Sequence, residues 1–352
     1  MVQRASMFTL LRNAAVYAPE PLGVRDVLVA GERIAAIAPR LPALPAEYGA
    51  VEIDVAGRRL VPGLVDAHVH LTGGGGESGP ASRVPPVTLG MLTEGGITTC
   101  VGTLGTDGTT RSTASLVARA LGLREEGLSA YCYTGSYEVP LVTLTGSVRK
   151  DVVFVDPILG VGELAISDHR SSQPTLHELL RIASDAHVAG MMSGKAGIVH
   201  LHLGDGARGL SLVREALDTA EIPARTYHPT HVNRRRALFD EALALVERGV
   251  TVDVTAFPVD EGDPGLSAVE AIERFLGAEL PRERLTCSSD GAGCLPVFDG
   301  DGRLVSMDIG RPAALADTLA ALLARGRALE DVLPIFTSNV ARLLRLPRKG
   351  VV

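Results

Sequence analysis

The segment VDAHVHLTGGGGESG, residues 65–79, contains two histidines two positions apart, then four glycines and a glutamate. Residues i and i+2 of a β-strand project to the same side, so His68 and His70 can bind one metal ion together. In isolation, such a pair is as often two polar core residues as a metal site. Three other predicted strand ends carry side chains of the same kind: His202, His231 and Asp290. This recurrence favours a metal centre.

Further polar residues follow predicted strands in the same way, among them Thr106, Tyr137 and Arg170. The carboxyl ends of parallel strands meet at one face, where barrel enzymes hold their active sites. Other histidines are interpreted differently. His200 and His228 lie deeper in their strands and are predicted to support the site or the core.

The elements that position these residues begin near residue 60, where apolar segments alternate with amphipathic ones. Eight segments are typical of strands: LVPGLVDAHVH, GITTCVGTLG, LSAYCYTGSY, VGELAISDHR, GIVHLHLG, ARTYHPTHV, VTVDVTAF and LTCSSDG. Segments such as TLHELLRIASDAHVAG and RALFDEALALVERG lie between them and are apolar at helical spacing. Parallel strands need crossover helices and close well at eight, so an α/β fold of the (β/α)8 TIM-barrel type is expected over residues 61–345.

Residues 1–60 have a different pattern. VRDVLVAGERIAAIAP predicts two strands joined at a turn, and VEIDVAGRRLVPG predicts one or two more. We therefore expect a small β domain before the barrel. The last stretch of the barrel region, residues 311–345, is predicted to be helical.

Composition excludes several classes of function. The 352 residues carry a net charge of −7 and no run rich in Lys or Arg, which disfavours nucleic acid or an anionic membrane surface as a partner. No apolar run reaches the ~20 residues that a bilayer crossing needs, and the apolar patch FTLL is too short for a secretory signal. The four cysteines form no CxxC pair. A cytoplasmic protein with reduced thiols is expected.

The ordered motifs resemble a known family. HVH after the first strand, histidines after the fifth and sixth and an aspartate after the eighth are similar to the amidohydrolase superfamily. The chain resembles the isoaspartyl dipeptidases more closely, through seven motifs: GGGGESGP, LGTDGTTR, TGSYEVP, TGSVRKDV, AISDHRS, PTHVNR and SSDGAG. In that family the N-terminal β module is completed by C-terminal strands. Here residues 346–352 are expected only to begin the return to the β domain, and the closing strands are expected to be missing.

The resemblance implies two divalent metal ions, with zinc favoured by the ligand types. One metal would be bound by His68, His70 and Asp290, and the other by His202 and His231. The family normally bridges its metals with a carbamylated lysine, where this chain has Glu163. Glutamate is shorter by roughly 3–4 Å. Glu163 is therefore expected either to bridge two metals from a closer strand or to bind a single metal.

Misalignment does not explain the missing lysine, because the chain has only three: Lys150, Lys195 and Lys349. Lys150 is predicted to follow the third strand, and Lys195 to precede the fifth at the opposite end of the barrel. None is positioned to reach the metals, which supports Glu163 as the substitute ligand.

Substrate-binding roles are suggested by the remaining motif residues. The glycine run that contains Gly75 can bring backbone N–H groups to a carboxylate, and Glu77 suits an α-ammonium group. Arg170 and Arg234 suit a second carboxylate. Three further contacts are implied by the resemblance: Thr106 to the aspartyl carboxylate, Tyr137 to the oxyanion and Cys294 in place of a serine.

The expected activity is metal-dependent hydrolysis of the β-aspartyl bond of isoaspartyl dipeptides. A metal-bridging hydroxide would attack, with Asp290 as the proton shuttle. Two alternatives stay open: an amidohydrolase of a cyclic amide or of another N-acylated acidic amino acid, and a catalytically silent scaffold. The resemblance also implies a homo-oligomer with a small dipeptide as its substrate.

Overall fold

The computed structural model describes residues 6–259, 262–299, 301 and 303–352. An N-terminal sheet comes first, with five strands: β1 Phe8–Tyr17, β2 Pro21–Ala30, β3 Arg33–Ala38, β4 Val51–Asp54 and β5 Arg59–Leu60. Strand β1 is central, since it pairs antiparallel with β2 and parallel with β4 and β5. The sequence pattern predicts the other strands but misses β1, where FTLL is interpreted only as a short apolar patch.

Eight parallel strands follow and curl into a barrel: β6 Leu64–Val69, β7 Ile97–Gly102, β8 Ser129–Thr134, β9 Ile158–Ile166, β10 Val199–Leu203, β11 Tyr227–Thr230, β12 Val252–Thr255 and β13 Leu285–Ser288. Strands β6 to β11 form one continuous ladder, and β12 pairs with β13. The ends of β13 and β6 meet through a bridge between Val69 and Gly291. All eight predicted strands are confirmed.

A side chain joins β11 to β12 where no backbone ladder does. The amide of Asn233 donates to the carbonyl of Thr255 at 3.0 Å and accepts from its N–H at 2.8 Å. Asn233 therefore makes the two hydrogen bonds that a neighbouring strand would otherwise supply.

The helices lie outside the barrel: α1 Leu89–Glu94, α2 Thr113–Glu125, α3 Val148–Phe154, α4 Leu176–Ser193, α5 Ser211–Thr219, α6 Arg236–Glu247, α7 Ala268–Gly277, α8 Ala314–Ala324, α9 Leu329–Val332 and α10 Ser338–Leu343. Helix α4 begins with a capping box between Thr175 and Glu178, as its TLHE sequence favours. The predicted helical segments in these regions are confirmed. Among the described residues, no helix combines the length and apolarity that spanning a bilayer requires.

The two ends of the barrel differ in chemistry. At one end, Val65, Ala67 and Val101 form a buried apolar cluster with Val340 and Leu344 from the α10 region. This cluster closes the amino end of the barrel against water. A hairpin that the sequence pattern does not predict, β14 Cys294–Phe298 and β15 Leu304–Ile309, follows β13 at the other end.

A buried ion pair organises the N-terminal sheet. Asp26 is 1% exposed and accepts hydrogen bonds from Arg12 Nη1 at 2.7 Å and from the Leu41 and Asn13 amides at 3.0 and 3.1 Å. The Leu41 N–H, and then the Arg12 guanidinium, outweigh burial and lower the pKa of Asp26 to about 2. The charged form of Asp26 therefore stabilises the folded state.

We expect Asp26→Asn to lower the thermal unfolding midpoint at pH 7. A carboxyl whose folded-state pKa is depressed contributes its full stabilisation above its ordinary value of 3.8 and loses it as the pH falls towards 2. The difference from the parent protein should therefore shrink as the pH is lowered from 5 to 3, measured by circular dichroism melts. Glu20→Gln, which changes an exposed carboxylate beside the same sheet, is the control. A midpoint difference independent of pH would contradict the assignment.

Candidate active site

Six buried side chains of the types that bind metal ions converge at the carboxyl end of the barrel. They lie on or just after five of its strands: His68, His70, Glu163, His202, His231 and Asp290. Each is at most 5% exposed. Their strands are far apart in sequence, so parallel packing alone brings them together. The predicted convergence of these residues is present in the structure.

Glu163 lies at the centre of this cluster. Its Oε1 lies 3.4 Å from His68 Nε2 and 3.5 Å from His70 Nε2. Its Oε2 lies 3.2 Å from His202 Nδ1 and 3.7 Å from His231 Nε2. Two groups that could each hold a metal ion therefore share this carboxylate. Although it is shorter than a carbamylated lysine, the Glu163 side chain reaches both histidine pairs.

The lysines lie away from this cluster, as expected. Lys195 Nζ donates to the carbonyls of Val152 and Val155, both at 2.7 Å. Lys349 Nζ donates to Ser129 Oγ at the start of β8. Lys150 is exposed on α3. No lysine of the chain is thus available to bridge the two histidine pairs.

Asp290 adds a second carboxylate to one of the two groups. Its Oδ1 lies 3.0 Å from His70 Nε2 and 3.4 Å from His68 Nε2. Burial would raise the pKa of Asp290, but the hydrogen bond with His70 and the charge of His68 lower it to about 2. Asp290 is therefore ionised at neutral pH.

The charges of the cluster are strongly coupled. Burial would raise the pKa of Glu163, but His68, His202 and His231 hold it well below its ordinary value. Burial would lower the pKa of His68, but the carboxylates of Glu163 and Asp290 raise it to about 9. Burial lowers the pKa of His231 to about 3. The two carboxylates thus draw positive charge into the cluster, and a metal cation would supply the same compensation.

These side chains fit a metal ion better than they fit one another. The Nε2 atoms of His68 and His70 lie 3.4 Å apart and face the same space. Glu163 Oε1 faces that space too, buried and without a hydrogen-bond partner among the described residues. His231 Nδ1 is 2.7 Å from Thr255 Oγ1, which leaves its Nε2 for a ligand. Imidazole nitrogens with carboxylate oxygens form a donor set suited to divalent cations.

Asp168 supports the cluster and is missed by the sequence interpretation. Its Oδ2 lies 2.9 Å from His202 Nε2. If this nitrogen donates its proton to Asp168, the Nδ1 of His202 carries the lone pair, which faces Glu163 and the Tyr137 hydroxyl. The only sequence signal is its place in SDHR, two residues before Arg170.

A cavity above the cluster unites the predicted residues. Its empty volume is about 300 Å³, including its open mouth. The wall of the cavity is formed by twelve predicted site residues: His70, Gly75, Glu77, Thr106, Tyr137, Glu163, Arg170, His202, His231, Arg234, Asp290 and Cys294. The remaining one, His68, is fully buried directly beneath them.

Charged side chains on the cavity wall form a connected set. Arg170 donates to both oxygens of Asp168, at 3.0 Å from Nε and 2.8 Å from Nη2. Its Nη1 donates to Glu77 Oε1 at 3.2 Å, and Thr106 Oγ1 donates to the same oxygen at 3.1 Å. Glu77 Oε2 is buried with no hydrogen-bond partner among the described residues, and can accept from a ligand.

Two other residues of the wall offer donors. Arg234 contacts Asp205 through Nη1 at 3.4 Å, whereas its Nε is buried and unpartnered among the described residues. Tyr137 Oη lies 2.8 Å from His202 Nδ1. Burial, together with the charge of Glu163, raises the pKa of Tyr137 well above its ordinary value. Tyr137 therefore keeps its phenolic proton.

The glycine loop has a buried arginine behind it, which the sequence interpretation also misses. Arg111 donates to the carbonyls of Gly74 at 2.8 Å and Gly75 at 3.0 Å. Gly75 has a φ of +72°, and a Cβ there would meet the carbonyl oxygen of Ser82 at 2.4 Å. The loop therefore requires glycine at this position. Cys294 faces the same cavity, and burial raises the pKa of its thiol to about 12.

Comparison with known proteins gives the family. No protein-family model matches the chain. Over 64 residues it is 44% identical to a dihydroorotase from Lactobacillus leichmannii, a match that spans 18% of this chain and 14% of that protein. The crystal structure of dihydropyrimidinase from Brevibacillus agri NCHU1002 shares 18% identity and a TM-score of 0.67, over 98% of this chain and 84% of that one. This likeness shows the fold alone.

A closer likeness is to the crystal structure of β-aspartyl dipeptidase from Fervidobacterium islandicum AW-1 in complex with the β-Asp-Leu dipeptide. Identity is 43%, the TM-score is 0.92, and the match covers 98% of this chain and 89% of that chain. The barrel with its paired histidine groups is that of the amidohydrolase superfamily. Within this superfamily, the chain belongs to the β-aspartyl dipeptidase family of hydrolases.

We expect Glu163→Ala to lose bound metal and turnover together, because both histidine pairs face this carboxylate. The loss should be about tenfold or more, since even residues that only orient metal ligands contribute roughly 10- to 100-fold to metal affinity. Metal content is measured by elemental analysis of the purified protein. Glu215→Ala, an exposed position on α5, is the control. A Glu163→Ala protein with the metal content and turnover of its parent would show that the carboxylate is not a ligand.

Proposed function

We propose that the chain hydrolyses the β-aspartyl bond of isoaspartyl dipeptides in a metal-dependent reaction. The observation that carries this proposal is a single cavity that holds both metal-binding groups and, beside them, an acceptor at Glu77 and a donor at Arg234. An isoaspartyl dipeptide presents the complementary groups, an α-ammonium and a terminal carboxylate on either side of an amide. The Fervidobacterium relative was crystallised with such a dipeptide, β-Asp-Leu.

The proposed ligands are His68, His70 and Asp290 for one divalent ion and His202 and His231 for the other, with Glu163 shared between them. Two bound divalent cations, for which zinc is the proposed identity, would polarise the scissile carbonyl and acidify an attacking water. The exclusively nitrogen and oxygen donor set supports this choice.

The aspartyl part of the substrate is proposed to bind near the glycine loop. Its α-ammonium would be accepted by Glu77 Oε2, which has the charge and the free lone pairs for it. Arg170 and Thr106 already hold the other oxygen of Glu77 and so orient the carboxylate. Thr106 and the backbone around Gly75 would contact the α-carboxylate.

The leaving residue is proposed to bind on the opposite wall. Arg234 can donate from its unpartnered Nε to the terminal carboxylate. Arg170 would assist, although its Nε and Nη2 are already engaged with Asp168. Cys294 lines the same cavity as a neutral thiol, a weaker hydrogen-bonding partner than a serine hydroxyl.

Two side chains are proposed to act on the reacting atoms. Tyr137, with its raised pKa, would donate a hydrogen bond to the oxyanion that forms on the attacked carbonyl. Asp290, ionised at neutral pH, would accept a proton from the attacking water and return it to the leaving amine nitrogen. Peptide-bond cleavage then consumes one water and releases aspartate and the second amino acid.

The oligomeric state and the cellular location stay predictions of the sequence resemblance and composition. The same holds for the domain limits at residues 60 and 345. We retain the homo-oligomer, the cytoplasmic location and these limits as proposals.

Tyr137→Phe tests the oxyanion donor. Removing one preorganised donor typically lowers kcat by roughly 10²- to 10³-fold. We expect a fall of this size for β-Asp-Leu, with metal content unchanged, measured by ninhydrin detection of the released leucine. Tyr131→Phe, a half-buried tyrosine of β8 beside Arg124, is the matched control. Unchanged kcat in Tyr137→Phe would remove this residue from the mechanism.

Glu77→Gln tests the recognition of the substrate ammonium. We expect metal content to persist and kcat/KM for β-Asp-Leu to fall roughly 10- to 100-fold, since a charge-assisted hydrogen bond is lost. Glu126→Gln, an exposed position at the end of α2, serves as the control. Parent-like kinetics would favour the alternative of a cyclic-amide substrate, which has no free ammonium for Glu77. A protein without stoichiometric metal would favour a silent scaffold.

A further inference from the structure

The barrel interior contains a continuous hydrogen-bonded chain below the metal-binding cluster. His68 Nδ1 lies 2.8 Å from His200 Nε2, and His200 Nδ1 lies 2.9 Å from His228 Nδ1. His228 Nε2 lies 3.0 Å from Thr286 Oγ1, which donates to Asp253 Oδ1 at 2.6 Å. All five residues are fully buried. We call this set, from Asp253 to His68, the interior chain.

Asp253 closes one end of the interior chain. The pKa of Asp253 is raised because the carboxyl is buried, and three hydroxyl donors, from Ser288, Thr286 and Thr230, reduce that rise. Thr230 Oγ1 donates to Oδ2 at 2.7 Å and Ser288 Oγ donates to the same oxygen. Each hydroxyl donates its one proton to Asp253, so these contacts stabilise the ionised carboxylate, which only accepts hydrogen bonds.

The direction of every later hydrogen bond follows from that acceptor. Thr286 spends its only proton on Asp253, so its oxygen must accept a proton from His228 Nε2. His228 is then unprotonated at Nδ1 and accepts from His200 Nδ1. His200 is in turn unprotonated at Nε2 and accepts from Nδ1 of His68. His68 therefore keeps a proton on Nδ1, and Nε2, the atom that faces Glu163 and Asp290, is the nitrogen that a metal ion would bind.

With Asp253 ionised, the same contacts exclude the reverse direction. If His68 carried its proton on Nε2, each donor in the interior chain would be reversed, and Thr286 would donate to His228. The Thr286 and Asp253 oxygens would then face each other at 2.6 Å without a proton between them. Two lone pairs at this distance repel, which makes that arrangement costly.

Packing fixes the two intermediate rings. Tyr133 stacks on His200, with ring centroids 5.1 Å apart and planes 21° apart. Both rings are fully buried, and among the described residues their hydrogen-bond partners are histidines and a threonine rather than a carboxylate that could offset a positive charge, so both are neutral. A neutral histidine carries one N–H, so each ring donates a hydrogen bond at one nitrogen and accepts one at the other.

We propose that Asp253 is a positioning residue that sets the tautomer of the metal ligand His68 through Thr286, His228 and His200. This inference rests on the proposed metal site but not on its substrate. Hydrogen-bond partners of metal-ligating histidines fix tautomer and ring orientation, and their loss costs roughly 10- to 100-fold in metal affinity. Here the partner carboxylate is separated from the metal ligand by three hydrogen-bonded residues.

The first test is the zinc affinity of four variants, measured by chelator competition on the full chain. Thr286→Val removes one link with little change in volume and should weaken one of the two zinc equivalents roughly 10- to 100-fold. Asp253→Asn should weaken it similarly. Thr286→Ser restores the hydroxyl and should bind zinc as the parent does.

Asp151→Asn is the matched control. Asp151 is equally buried and accepts hydroxyls from Thr134 and Thr145, but its contacts lead to no histidine. It should lose stability without losing zinc affinity. Parent-like zinc affinity in folded Thr286→Val would overturn the proposal, as would an equal loss in Asp151→Asn.

A second measurement uses the parent protein and so does not depend on whether variants of the barrel interior fold. In the zinc-loaded parent protein labelled with ¹⁵N-histidine, the ring nitrogen shifts report which nitrogen carries the proton. His200 should be protonated at Nδ1 and His228 at Nε2, as opposite tautomers. The reverse pair, with His200 protonated at Nε2 and His228 at Nδ1, would overturn the proposal, as would the same tautomer in both rings. A parent protein that binds no zinc would instead refute the proposed metal-dependent function, and the two failures are therefore distinguishable.

Discussion

Two carboxylates and four imidazoles share a small volume at the rim of the barrel from which water is almost excluded. Glu163 and Asp290 are at most 5% exposed. Burying an anion without a compensating charge costs several kcal/mol. Histidines from three other strands supply that compensation, and bound cations would supply more of it. The fold must therefore hold five strand ends in register, since displacement of one strand would leave a buried charge unpaired.

The rest of the barrel meets this requirement. The amino end is closed by an apolar cluster around Val65 and Val340, and the candidate metal ligands lie in the opposite half. Between the two halves lies the interior chain from Asp253 to His68, in which each donor finds an acceptor. Polar groups at this depth are tolerated because they are fully hydrogen-bonded.

The substrate-facing wall is organised by charge rather than by apolar contact. Arg170 joins Glu77 to Asp168, and Asp168 in turn contacts His202, so substrate recognition and metal binding share one network. Such preorganisation keeps the polar groups in place before a ligand binds, and so lowers the reorganisation needed at binding. It also explains why Arg234, with its free Nε, is the more available of the two arginines for a carboxylate.

Strand alternation and residue type could be read from the sequence, and they were enough to predict the eight barrel strands and the meeting of the histidines and Asp290 at one end. The role of Glu163 and most of the proposed substrate contacts came from the resemblance to a known family. Periodicity reports local structure, and the carboxyl ends of parallel strands must meet. Sequence could not determine what depends on distances between strands. Whether Glu163 reaches both histidine pairs, why Asp168 and Arg111 matter, and how His200 and His228 connect Asp253 to His68 were decided only by tertiary structure. Short contacts between residues far apart in the sequence, such as His68 and His200 at a separation of 132 positions, leave no periodic trace in the chain.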